Sequence, residues 1–212
     1  MKKILCILAT LPLLLTACAL DVVQTDAIRA FGDVLEVFPA EEYEPHRWRL
    51  AAPDGGAWFF FDNMGFGMAV DAAPFVAAGA DLSKLKNACE HNMNPGRDSL
   101  SFYAPGFDML NRNVKVTAMT QFEVNLPYVR EYLGYHAEMD HYNLNLSGAM
   151  FEWAKDLAAN DKDIVFALDP WPLIAAGADP EKVEGWAYAQ VPVMRDGKPV
   201  QVWKFLKIFD LK

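Results

Sequence analysis

The chain predicts an α+β fold made of two tandem copies of one helix-plus-antiparallel-strand unit, related by a pseudo-twofold axis. Three observations predict it. Residues 71–85 (DAAPFVAAGADLSKL) match residues 169–183 (DPWPLIAAGADPEKV) without a gap, with eight of fifteen positions identical. The offset of 98 is about half of the 195 residues that follow an N-terminal leader, as a duplicated unit requires. Segments with apolar residues three and four apart alternate with short apolar or period-two runs bounded by turn residues. At 212 residues, 53% of them hydrophobic and 13% aromatic, the chain has the composition of a packed body and not of a disordered one. A formal charge of −9 would repel a polyanion, so nucleic acid is excluded as a partner.

The leader comes first. Met1-Lys2-Lys3 is cationic, and residues 4–17 are apolar apart from Thr10, Pro12 and Thr16. Fourteen residues make a helix of roughly 21 Å, short of the ~20 residues needed to cross a bilayer core, so this is the apolar region of an export signal. It ends in Leu15-Thr16-Ala17-Cys18, which resembles the lipobox of bacterial lipoproteins. That resemblance implies diacylglyceryl transfer to the Cys18 thiol, cleavage before Cys18 and acylation of the new N-terminus. Several acyl chains, at about 0.8 kcal/mol per buried methylene, hold a protein firmly on a membrane. The expected location is therefore outside the cytoplasm, anchored to the outer face of the cell membrane or to an outer membrane. Processing removes two lysines and takes the charge to −11. Cys6 leaves with the signal and Cys18 takes lipid, so Cys89 alone remains and no internal disulfide can form. Residues 1–17 are thus read as signal, 18–24 as a lipidated tether, 25–122 as the first copy and 123–212 as the second.

In the first copy, Ile28, Phe31, Leu35 and Phe38 have helical spacing, with Thr25 as cap and Pro39 as stop. A hairpin follows over 47–61, turning at Pro53-Asp54-Gly55-Gly56. Residues 68–70 lead into the matched segment, where Asp71 caps a short helix closed by Gly79 and Asp81 caps a single turn. Strands over 99–103 and 114–122 complete the copy. The second copy begins with a helix capped by Asn125 and ended by Gly134, then strands over 137–146, 150–157 and 164–168. Asp169 and Pro170 start the matched helix, and a hairpin turning at Arg195-Asp196-Gly197-Lys198 closes the chain. A weaker echo, residues 50–54 against 157–161, has an offset of 107 and puts about nine extra residues in the first copy, near 62–67. The matched residues are cap aspartates, a proline, small alanines and a glycine, with no nucleophile, base or ligand set among them. Their signature describes a fold and not a reaction.

Two groups carry candidate chemistry. If 137–146 is one strand, His136, Glu138 and Asp140 share a face, and an imidazole beside two carboxylates would bind a divalent metal or act as a general base. The other reading is the solvated end of a strand, since the spacing matches no known ligand motif. Trp171 and Trp186 flank the second matched helix and would line a groove between the copies, a natural ligand location. His91 with Met93 and Met139 with His141 pair imidazole with thioether, which suits Cu(I), although most methionines here sit among apolar residues as core filler. Cys89 has no local nucleophile signature and reads as a structural thiol. No cofactor motif is evident, and the balance points away from an enzyme. The expectation is a lipid-anchored module that binds a small molecule or an envelope protein. The alternative is a metal-dependent enzyme or metal-handling protein built on His136, Glu138 and Asp140.

Overall fold

A computed structural model describes residues 26, 29–34, 40–44, 47–51, 55–62, 65–85, 89–94, 97–104, 132–137, 139–157 and 164–209. The leader, the lipobox and the helix expected after Asn125 lie outside these residues, as does the strand expected over 114–122.

Twelve strands dominate the described residues and form two antiparallel sheets of six. In the first sheet, β1 (Ala40–Glu44), β2 (Arg47–Ala51), β3 (Ala57–Asp62) and β4 (Gly65–Asp71) run as a meander. Then β5 (Glu90–Asn94) and β6 (Arg97–Ala104) form a hairpin whose second strand returns to pair with β4. The second sheet consists of β7 (Leu133–His136), β8 (His141–Leu146), β9 (Ala149–Ala154), β10 (Ile164–Leu168), β11 (Ala187–Arg195) and β12 (Lys198–Phe209). Its connectivity is the same: a four-strand meander, then a hairpin whose second strand pairs with β10.

Helix is scarce. A helical stretch at 29–34 (α1), the five-residue α2 (Ala73–Ala77), a 3-10 turn (Leu82–Lys84) and the six-residue α3 (Pro170–Ala175) are the helical segments among the described residues. The expected α+β class is therefore overturned, because the repeating connectivity belongs to a sheet and the molecule is mostly β. The reason is compositional. Runs such as AWFFFD and IVFAL are rich in aromatic and β-branched residues that favour a pleated surface. The helices, by contrast, are too short to bury more than a residue or two each.

The weaker echo is corrected as well. Leu50 lies in β2, whereas Leu157 follows the end of β9, so the two positions are not equivalent. The extra residues also belong elsewhere: β3 and β4 are joined by Asn63 and Met64 alone, while residues 155–163 separate β9 from β10.

The matched segments meet each other. Asp81 N–H donates to the Ala176 carbonyl at 2.9 Å, and Asp179 N–H donates to the Ala78 carbonyl at 2.8 Å. Gly79 (φ +103°) and Gly177 (φ +111°) sit where the two segments cross. A Cβ on either would lie within 2.9 Å of the other's carbonyl oxygen. The glycines thus provide both a backbone angle that other residues avoid and the space for two main chains to touch. The aspartates then cap locally: Asp81 accepts from Ser83 N–H at 3.2 Å and Ser83 Oγ at 2.7 Å, and Asp169 accepts from Trp171 N–H at 3.4 Å. Asp81 and Asp179 also pair with Lys84 and Lys182 at 3.2 and 2.6 Å. The bond from Ser83 lowers the Asp81 pKa foremost, and Lys182 foremost lowers that of Asp179. This chemistry belongs to caps.

Between the sheets lies one hydrophobic core drawn from both. Phe59 of β3 meets Phe151 of β9 edge-on at 4.9 Å and Phe166 of β10 at 5.3 Å. Phe31 of α1 packs on Phe59 and Trp153 at 5.3 and 5.4 Å. Such ring pairs add about 0.5–1.5 kcal/mol each beyond simple burial.

Candidate functional site

The expected strand over 137–146 is interrupted. β7 ends at His136, the chain turns, and β8 begins at His141, which is the Cα partner of His136. Asp140 sits in that turn with φ +53°, and Glu138 lies outside the described residues. The premise that His136, Glu138 and Asp140 share one strand face therefore fails, because the strand on which it rests stops at the first of them. The turn sends the Asp140 carboxylate to other partners. It accepts from the Tyr135 hydroxyl and lies 3.8 Å from Lys155 Nζ. Tyr135 neighbours His136 along β7 and so projects from the opposite face. The Lys155 ammonium also sits 5.3 Å from the Tyr135 ring centroid. Hydrogen bonding to the Asp140 carboxylate raises the Tyr135 pKa.

His136 instead finds a carboxylate that sequence spacing had not pointed to. Its Nδ1 lies 3.2 Å from Glu152 Oε1 of β9, with the two side chains 14% and 9% exposed. The sheet register explains the meeting. Tyr142, Leu144, Phe151 and Trp153 point into the core, so alternation puts His141, Asn143 and Glu152 on the outer face. There Asn143 is the Cα partner of Glu152, and His141 is that of His136. The contact joins an imidazole of β7 to a carboxylate of β9 across β8, on the outer face of the sheet. The only advance signal was a lone glutamate in the otherwise apolar run AMFEWA. Among the described residues no group of three His, Cys, Asp or Glu side chains is placed to hold a metal ion.

The two tryptophans have different fates. Trp186 is 8% exposed and packs on Phe75 at 5.4 Å, with Lys207 Nζ 5.8 Å from its ring. It is a core residue. Trp171 on α3 is 58% exposed.

At the other side of the second sheet stands a feature that sequence reading passed over as a closing hairpin. β12 pairs with β10 only from Phe205 to Phe209, while from Lys198 to Lys204 its described partner is β11 alone. Past the end of β10 the chain turns into α3, so this part of the hairpin runs beyond the sheet as a two-stranded arm. At about 3.4 Å per residue it extends roughly 20 Å. Asp196 and Gly197, at φ +52° and +72°, make its tight turn.

No family model, curated protein or solved structure matches this chain.

Proposed function

We propose that the protein is exported, lipidated at Cys18 and held on a membrane, where its β-sheet body serves as a binding or protein-interaction module. The observation that carries this reading is the Leu15-Thr16-Ala17-Cys18 lipobox directly after a 14-residue apolar run and a lysine pair. One further observation supports it. The body is a packed pair of sheets with a protruding arm, a shape suited to presenting a surface.

The test is Cys18→Ser in the full chain, expressed in a bacterium that processes lipoproteins. The wild-type protein is expected in the membrane fraction, labelled by radioactive palmitate. The variant is expected to lose the label and to leave the membrane fraction after its signal is cleaved or when membranes are washed with detergent-free high salt. A variant still labelled, or a wild type never labelled, overturns the anchor.

A further inference from the structure

The arm formed by β11 and β12 is the most unusual surface of the described residues. On β12, period-two alternation puts Lys198, Val200, Val202, Lys204, Leu206 and Ile208 on one face. Their partners on β11 extend that face sideways: Val193 lies opposite Val200, Val191 opposite Val202, and Arg195 opposite Lys198. Val200 is 39% exposed and Val191, Val193 and Val202 are half-buried, while Ile208, 64% exposed, continues the same face where β12 pairs with β10. The result is a valine-lined strip with cations at its tip and along its length. An isolated two-stranded ribbon gains little stability from such residues in water, so their exposure calls for a second surface.

Charge says which surface. Residues 187–209 carry four cations, Arg195, Lys198, Lys204 and Lys207, against a single acid, Asp196, in a chain whose formal charge is −9. The remainder of the molecule is therefore strongly acidic. An anionic bilayer repels that remainder and attracts the arm, so it both binds and orients the molecule. Valine and isoleucine enter the interface while lysine stems reach back to the headgroups.

We infer that the β11–β12 arm docks on anionic phospholipid, laying its valine face against the membrane. This rests on the lipid anchor, which keeps a bilayer within reach. The test uses the mature lipidated protein reconstituted in vesicles of phosphatidylethanolamine alone or with phosphatidylglycerol, followed by amide hydrogen exchange. Amides of residues 187–204 are expected to exchange about tenfold more slowly on the anionic vesicles. Each cation near a charged surface contributes about a fivefold effect. The paired substitution Lys198→Gln with Lys204→Gln should therefore remove most of the protection. Val200→Asp, which leaves every cation in place, should also remove it. Equal exchange on both vesicle types overturns the inference while the protein still cofractionates with vesicles. Failure to cofractionate at all strikes the anchor instead. Protection that follows protein concentration and not lipid charge assigns the face to a second copy of the chain, and likewise overturns it.

Discussion

Cys89 is half-buried against the core, and burial pushes its thiol up to about 11 from 9.0. The thiolate is the reactive form, and burial leaves far less of it than usual at pH 8. Iodoacetamide should therefore alkylate the native protein about tenfold more slowly than a small free thiol, since the higher nucleophilicity of the less acidic thiolate offsets part of its scarcity, with the ordinary rate restored in denaturant. Mass spectrometry of timed samples measures both, and equal rates would contradict the burial. Because the folded value is the higher one, the neutral thiol's contribution to stability is complete below about pH 9 and is lost as pH rises toward 11. The absence of an activating neighbour along the chain was legible from sequence, since no basic residue or glycine stands beside Cys89. The partner of His136 was not. Glu152 lies on another strand, and only the register of β8 against β9 puts it within 3.2 Å.

Among the elements, the crossing of the matched segments makes the sharpest demand on sequence. Gly79→Ala or Gly177→Ala would force alanine to a φ near +105° and press its Cβ against a carbonyl oxygen. The backbone angle alone costs of order 1–3 kcal/mol, and the neighbouring main chain has little room to yield. Gly197 provides the control, since it too has positive φ but a Cβ there meets nothing within 4 Å. Urea unfolding should show Gly197→Ala to be the mildest of the three, and equal losses would refute the crossing. Short-range chemistry made several elements legible: Asp196-Gly197 announced the last hairpin, and Asp169-Pro170 announced α3. β5 gave no such signal, because EHNMN has no apolar alternation and is held by pairing with β6. The tight β7–β8 turn was missed for a related reason. His136, Asp140 and His141 carry no glycine or proline to mark a bend, and Asp140 takes the positive φ itself.

Across the whole molecule, the two sheets share their interior. Phe59, Phe151 and Phe166 touch across the divide, and the backbone bonds at Asp81 and Asp179 join the two matched segments. Neither sheet can lose its inner face without exposing the other's, so a single cooperative unfolding transition is expected. Phe151→Ala should lower stability by about 3–5 kcal/mol and displace far-ultraviolet and tryptophan signals together. Two separated transitions would show that the sheets fold independently. Helical spacing in the matched segments and near the N-terminus predicts whole helical layers, whereas the helices of the matched segments are only five and six residues long. Local pattern reveals that a helix exists, but not how little of the core it covers. The strands, whose inner and outer faces alternate cleanly only once their pairing is known, hold most of that core.

One of the two edges of the second sheet is β11, which among the described residues pairs on one side only, so its outward backbone would be an open invitation to any extended chain nearby. Pro192, without an N–H to offer, stands in the middle of that strand, and a sheet tolerates proline at its border far better than within. Together with Arg195 at the far end, it makes unwanted strand addition costly. A long ribbon can thus stand out from the body without seeding fibres, and replacing that one ring with valine would remove the guard.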